Sequence, residues 1–354
     1  MTRLSSIDAL RGITVAAMLL VNNAGNWNHV YRWLEHAEWN GCNPPDFIFP
    51  FFLLIVGVSI SLAYSTEITA GNDLNPVRMA VIKRGLRIIF LGLLLHLMAC
   101  GAIEGRAFRL MGVLQRIGLC FTLAGLIHLT WRSARVQWTL IAAILLGYWL
   151  LLVKTAGTAP NLNLADRIDT LLLGKLAYEY DPLTHLAHDP EGVLTTLPSL
   201  ATVLLGIRAG EWLRNEQSAS LEIGGFGCIF LGGILAHYLP LNKQLWTSSF
   251  VLWTTGVGFL SISVMHYFID QRGWPAFGRS LGINAITAYA GSWAGVCLLH
   301  ATHTFQPVYH YLFELPFAAT ISPEFASFLF SATFTAAVVT AIKIMTVRGY
   351  RIVI

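Results

Sequence analysis

Ten stretches of mostly apolar residues recur along this chain, at 9–27, 46–65, 86–103, 110–130, 136–153, 193–213, 223–240, 248–269, 280–299 and 325–345. A bilayer core is about 30 Å thick, and a helix rising about 1.5 Å per residue crosses it in about 20 residues. Runs of that length, separated by polar loops, define the fold class as all-α: a polytopic integral membrane protein with ten expected transmembrane helices. No soluble domain could cover this much apolar surface, because 55% of the residues are hydrophobic and only 12% are charged. Residues 1–354 read as a single transmembrane domain. Asp8 and Arg11 interrupt the start of the first run and no small-residue cleavage pattern follows it. It is therefore expected to stay as a helix rather than be removed as a signal peptide.

Lys and Arg in the loops set the expected orientation. With the N-terminus in the cytoplasm, fifteen of them, from Arg3 to Arg351, lie inside, and seven lie outside: Arg32, Arg106, Arg109, Lys154, Arg167, Lys175 and Lys243. Both termini are then cytoplasmic. The polar, aromatic loop between Val21 and Gly57 faces out, as does the long polar segment 154–192. Net charge is only +4 and reflects this bias, so no nucleic-acid footprint is expected. Cys42, Cys100, Cys120, Cys228 and Cys297 have no paired spacing, which implies neither a disulfide framework nor a zinc site. His300 with His303, and His185 with His188, have i, i+3 spacing but no carboxylates or cysteines at matched spacing, and no metal is expected. Gly224, Gly225, Gly227, Gly232 and Gly233 lie in an apolar run with no preceding strand, which suits close helix packing and permits a homodimer within the lipid.

Titratable groups at a membrane rim are functional candidates, because holding them near lipid costs free energy. His36, followed by Trp39, Asn40 and Gly41, is a candidate base; the same residues also suit an interfacial aromatic belt. Asp46, after Pro44 and Pro45, could orient His36 or could simply cap the second helix. Ser5 and Asp8 have capping-box spacing at the start of the first helix. Gln115 and Arg116 fall inside a membrane run, where Arg116 needs a carboxylate or a ligand as partner.

The runs Ser5 to Gly12, Val21-Asn22, His36-Ala37-Glu38-Trp39-Asn40-Gly41, Asp46 to Phe52 and Gly112 to Gly118 resemble the heparan-alpha-glucosaminide N-acetyltransferase family. Later stretches follow in the same order: Asp189-Pro190-Glu191-Gly192, Pro198-Ser199, Gly206 to Gly210, Leu241 to Trp246 and Gly282 to Ile286. The resemblance implies a transmembrane acyltransferase that takes acetyl from acetyl-CoA on the cytoplasmic side and delivers it to the amino group of a glucosamine unit on the other. It implies His36 as the catalytic histidine, Asn22 close to the transferred acetyl, and Arg116 in the same core. Asp46, if not only a cap, is expected as the carboxylate that fixes the His36 tautomer, and Trp39, Asn40, Glu191 and Asn284 are expected at the sugar. Gln115, Arg116, Arg78 and Arg84 are expected at acetyl-CoA, although positive-inside anchoring alone would also place Arg78 and Arg84.

Compared with lysosomal members, the chain lacks an extra N-terminal luminal domain, which suggests a bacterial inner-membrane protein. The expected acceptor is free glucosamine or an amino-sugar oligosaccharide. Two routes are open: acetyl transfer through His36 in two steps, or direct attack in one ternary complex. A transporter for a sugar or sugar-linked lipid is the competing class, and an O-acyltransferase of a cell-surface glycan remains open within the enzyme reading.

Overall fold

The computed structural model describes residues 4–69, 73–155 and 157–350. Arg3 and Arg351, counted above for orientation, lie outside the described residues. Each apolar run forms a helix. In chain order these are α1 (Ser5–Val21), α2 (Ile48–Thr69), α3 (Asn75–Ala102), α4 (Val113–Thr130) and α5 (Ala134–Thr155). After a short α6 (Leu164–Leu172) come α7 (Thr196–Arg214), α8 (Ser218–Ala236) and α9 (Ser248–Met265). A short α10 (Arg279–Ile283) leads into α11 (Ala285–Ala301), and two short pieces, α12 (Phe305–Tyr309) and α13 (Leu315–Phe317), precede α14 (Pro323–Val347). Strand is confined, among the described residues, to a two-residue antiparallel pair, β1 (Glu179–Tyr180) and β2 (Ala187–His188).

Seven segments, those containing α2, α3, α4, α5, α8, α9 and α14, are long and apolar enough to cross a membrane. The chain is an all-α polytopic membrane protein, and by this measure seven of the ten expected crossings qualify. The other three fall short for physical reasons. Helices α1 and α11 have 17 residues each. Helix α7 carries Arg208, Glu211 and Arg214, and residues 198–210 are all buried in protein. A helix wrapped by protein meets little lipid and can carry charge where those charges find partners. Arg208 does so, with Nη1 2.6 Å from Glu211 Oε2.

Helix α7 packs along α2 at glycine. A Cβ on Gly57 would stand 2.0 Å from the Val203 carbonyl oxygen, and one on Gly206 would stand 2.1 Å from the Leu54 carbonyl oxygen. Only hydrogen fits between the two backbones, which is the small-residue packing that membrane helices use in place of a hydrophobic drive. Leu53, Leu54, Val58, Val203, Leu204 and Ile207 continue the contact into the core with Phe250 and Phe259 of α9.

The expected cap of α1 is absent. Leu4 occupies the N-cap, and the amides of Ser5 and Ser6 donate instead to Asp270 Oδ1 at 3.0 and 3.2 Å. Asp270 serves because it follows α9 at the same end of the bundle, where His266 Nδ1 also reaches it at 2.9 Å. Asp8 is turned to Arg11, 3.4 Å away.

Helix α14 runs antiparallel to α1. Ser331 Oγ donates to the Leu20 carbonyl, whereas Thr346 near the far end of α14 accepts from Asn284, just before α11. The start of α1 and the end of α14 therefore share one end of the bundle, here named the Arg11 end. Loops 22–47, 103–112, 157–195 and 237–247 meet at the other, the His36 end. They are stitched by Gly41 N to Leu241 O (2.8 Å), Leu110 N to Leu176 O (2.9 Å) and Trp39 Nε1 to Thr158 O (2.8 Å).

Candidate active site

His36 lies in the loop between α1 and α2, between 3-10 turns at Arg32–Leu34 and Pro44–Phe47. Pro44 and Pro45 suit the first positions of the second turn, where missing amide hydrogens cost nothing. Asn43 and Asp46 form a reciprocal capping box around it. Asp46 is fully buried, and its Oδ2 accepts the amides of Asn43 at 2.8 Å and Ala37 at 3.1 Å. Its Oδ1 accepts from His36 Nδ1 at 2.7 Å. Capping and orienting, which the sequence offers as alternatives for Asp46, are both present: one oxygen does each. A carboxylate so held fixes the proton of His36 on Nδ1 and leaves the Nε2 lone pair able to accept one.

A third group joins them from 207 positions away. Lys243 Nζ lies 3.0 Å from His36 Nδ1, 3.2 Å from Nε2 and 3.6 Å from Asp46 Oδ1. Burial draws its proton affinity below the usual lysine value, against the pull of the Asp46 and Glu191 charges. The neighbouring residues hold the two loops in register: Gln244 Nε2 donates to the Glu38 carbonyl at 3.0 Å and Asn242 Nδ2 to Asn40 Oδ1 at 3.3 Å. Burial and the Asp46 charge push the thiol of Cys42, in the same loop, up to about 12, which disfavours its thiolate.

Beside this group, Arg109 closes on two acids. Its Nη2 donates to Asp189 Oδ1 at 2.7 Å and also to Glu191 Oε2, and its guanidinium covers the Tyr178 ring at 4.6 Å. Burial would raise the Glu191 carboxyl, but the Arg109 and Arg116 charges outweigh it and hold Glu191 below the usual range.

Two cavities follow from this packing. One, about 160 Å³, is lined by Asn22, His36, Glu191, Lys243 and Tyr289 over an apolar floor that includes Met18 and Phe49. The other, about 320 Å³, opens toward the Arg11 end and is lined by Arg11, Ser59, Tyr64, Arg84, Asn284 and Thr287. Phe52, Ile117 and Ile286 line both, so the cavities meet back to back along the bundle. Arg11 is set by Ser59 Oγ at 2.6 Å and the Gly282 carbonyl at 3.3 Å, and Arg84 lies over the Phe121 ring at 5.3 Å.

The structure gathers His36, Asn22, Asp46 and Glu191 around the first cavity. Trp39 and Asn40 line neither. Trp39 packs on His188 with ring centroids 5.5 Å apart, and Asn40 pairs with Asn242, so both brace the loops. Asn284, expected near the sugar, lines the Arg11-end cavity, where Nδ2 donates to the Ser280 carbonyl and Thr346 Oγ1 at 3.0 Å each. Arg84 lines the same cavity; Arg78 does not, and instead bonds Asn75 Oδ1 at 3.2 Å. Gln115 lines neither cavity and lies 3.2 Å from His96 Nδ1. Arg116 is completely buried. It meets no carboxylate directly: Nη2 donates to the Gly192 carbonyl and to Thr195 Oγ1, and the guanidinium faces the Trp246 ring at 5.3 Å. Its role in the fold is to join α4 to the start of α7 across an aromatic wall. Lys243, Arg109, Asp189 and Arg11 are the site residues that sequence reasoning did not single out.

Bundle and cluster together define a polytopic membrane protein with a His36–Asp46–Lys243 cluster at one end and an arginine-lined cavity behind it. Residues 3–232 match the family described as heparan-alpha-glucosaminide N-acetyltransferase, catalytic, and the chain belongs to that family. It is 28% identical over 353 residues to the heparan-alpha-glucosaminide N-acetyltransferase of Homo sapiens, covering 82% of this chain and 52% of that one. With the Mus musculus protein of the same name it shares 27% identity, covering 82% and 53%. A weaker similarity, 29% over 199 residues, links 48% of the chain to 57% of a phospho-N-acetylmuramoyl-pentapeptide-transferase from Synechococcus sp. (strain JA-2-3B'a(2-13)). The chain spans about half the length of the mammalian relatives it matches. The family match includes His36, Asp46, Arg109 and Glu191, whereas Lys243 and Asn284 lie beyond it.

Proposed function

We propose that this protein transfers acetyl from acetyl-CoA, bound at the Arg11 end, to the amino group of glucosamine or an amino-sugar oligosaccharide at the His36 end. The observation that carries this reading is the pair of cavities meeting at Phe52, Ile117 and Ile286, one lined by arginines and the other by His36. Arg11 and Arg84 suit the phosphates of CoA, and the apolar wall suits a pantetheine arm. The excess of basic residues in the loops of the Arg11 end favours its placement in the cytoplasm of a bacterial inner membrane, with His36 facing the periplasm.

In the reaction, His36 Nε2 removes a proton from the acceptor ammonium, and the resulting amine attacks the thioester carbonyl. Asp46 keeps the imidazole in the productive tautomer and stabilises the imidazolium. That first proton passes from His36 to water, and the Asn22 amide donates to the developing oxyanion; as the C–N bond forms, His36 takes a second proton from the nitrogen and gives it to the CoA thiolate that leaves when the C–S bond breaks. Glu191, on the same cavity wall, attracts the cationic acceptor. Direct attack fits better than an acetyl-His36 intermediate. Nδ1 is committed to Asp46, so acetylation at Nε2 would leave the imidazole no nitrogen with which to deprotonate the incoming amine.

The test is acetyl transfer from radiolabelled acetyl-CoA to glucosamine by the purified protein in detergent. Label in N-acetylglucosamine with wild type and loss of it with His36→Ala are expected. Absence of labelled sugar with wild type, across amino-sugar acceptors, overturns the reading.

A further inference from the structure

We propose that Lys243 is a site of self-acetylation, occupied when acetyl donor is present and acceptor is absent; this rests on the transfer reading above. Lys243 carries the functional group of the proposed acceptor, a primary amine. It lines the cavity with His36 and Asn22, and its Nζ lies over the imidazole edge, 3.0 Å from Nδ1 and 3.2 Å from Nε2, the nitrogen not committed to Asp46. Any amine deprotonated by His36 has to approach Nε2 to a similar distance. The lysine therefore occupies the seat of the acceptor amine, and the two exclude one another.

Two features decide between a spectator and a nucleophile. Asp46 Oδ1 at 3.6 Å favours the ammonium, which is inert. Burial opposes it, and an amine held beside a base at fixed distance gains the advantage of an intramolecular reaction. The step balances. The ammonium releases one proton through His36 to water, and the free Nζ attacks the thioester carbonyl. The N–C bond forms, and the C–S bond breaks with its electron pair on sulfur. A second proton passes from the nitrogen through His36 to the thiolate. The products are an Nζ-acetyl amide, free CoA and one proton. The amide has no positive charge for Asp46, cannot leave under mild conditions, and fills the acceptor seat, so the product is an inactive enzyme.

The experiment incubates the full-length protein in detergent with carbon-13-labelled acetyl-CoA, with or without glucosamine, followed by peptide mass mapping. Exposed Lys154 and Lys175 report the background of uncatalysed acetylation. The expected result is one labelled acetyl on the Lys243 peptide at several times the level on Lys154 and Lys175. Glucosamine is expected to suppress it, and His36→Ala to reduce it to background. Should that variant not fold, suppression by glucosamine in the wild type decides. Labelled glucosamine with Lys243 at background overturns this proposal alone. Label on neither glucosamine nor Lys243 overturns it together with the transfer reading.

Discussion

The Asp46 carboxylate reaches His36 Nδ1 at 2.7 Å from within its own helix cap, so the turn that starts α2 and the tautomer of the base are set by one side chain. Replacing the acid by its amide, Asp46→Asn, puts a donor where two backbone amides and an imidazole N–H all need acceptors. Acetyl transfer is expected to fall by about 10²-fold or more, the usual scale for losing a correctly presented base. The apparent melting temperature in detergent should fall too, since a cap is typically worth about 1 kcal/mol. Initial rates and a thermal scan on one preparation check both halves; an active, fully stable variant refutes the coupling.

Arg84 and Arg78 separate a site from a topology signal. Arg84→Ala is expected to raise the KM for acetyl-CoA about tenfold or more, because a charge-assisted hydrogen bond contributes about 1.5–3 kcal/mol. Arg78→Ala, outside the cavity, should leave KM unchanged. Steady-state kinetics with varied acetyl-CoA distinguish them, and equal effects would remove the cavity from consideration as the nucleotide site.

Ile117→Trp tests the meeting of the two cavities. The larger side chain at the shared wall should block the arm, so transfer falls more than tenfold while 3′,5′-ADP, which lacks the arm, binds as before. Calorimetry with that nucleotide beside the transfer assay gives the answer.

His188 gives the His36 end a pH dependence. Its Nδ1 donates to Asp166 Oδ1 at 2.6 Å and its Nε2 to Gln244 Oε1 at 2.5 Å. Burial lowers its proton affinity, but the Asp166 bond and charge outweigh burial, and the net shift is upward from 6.5. A raised histidine contributes stability that is complete below the unfolded value and lost as pH rises through the folded one. Asp169 adds to the trend at lower pH. Burial chiefly, with the Asp189 charge, raises it from 3.8 to about 6, so its contribution is present below 3.8 and lost as pH rises through about 6. The stability that His188 contributes is therefore expected to shrink from pH 5 to 8, so the gap in apparent melting temperature between wild type and His188→Gln narrows over that range. A gap that widens toward pH 8 contradicts this.

At the α2–α7 crossing, Gly57→Val should lower the melting temperature sharply, because the new side chain meets carbonyl oxygen of the Val203 backbone rather than a movable group. Gly227→Val, with open space around its Cβ position, is the matched control and should leave it unchanged. Equal effects would show that the crossing is not the tight contact described.

The long helices were legible because run length and apolarity are local properties of the chain. His36 with Asp46 was legible as well, since ten positions and two prolines bring them to one turn. Lys243 was not: its loop carries no charge pattern, and only the folding of α9 beside α2 brings it to His36. Arg109 hid among basic loop residues, and what distinguishes it is a carboxylate pair 80 and 82 positions later. Asn284 illustrates the opposite failure. A family-like stretch was visible, but which end of the bundle it occupies depends on α11 running from the Arg11 end, a three-dimensional fact. The short α10, α12 and α13 hold too few residues for any periodicity to register.

Two cavities that meet inside a membrane protein leave a bilayer sealed only if the wall between them stops ions. Phe52, Ile117 and Ile286, where the two cavities abut, have side chains that offer neither donor nor acceptor. A proton relay needs an unbroken row of hydrogen bonds and a hydrated ion must shed its water, so both halt at such a wall. On the transfer reading proposed above, a slender thioester arm would meet only dispersion contacts there and replace them with its own, so the wall would pass the arm while stopping water and ions.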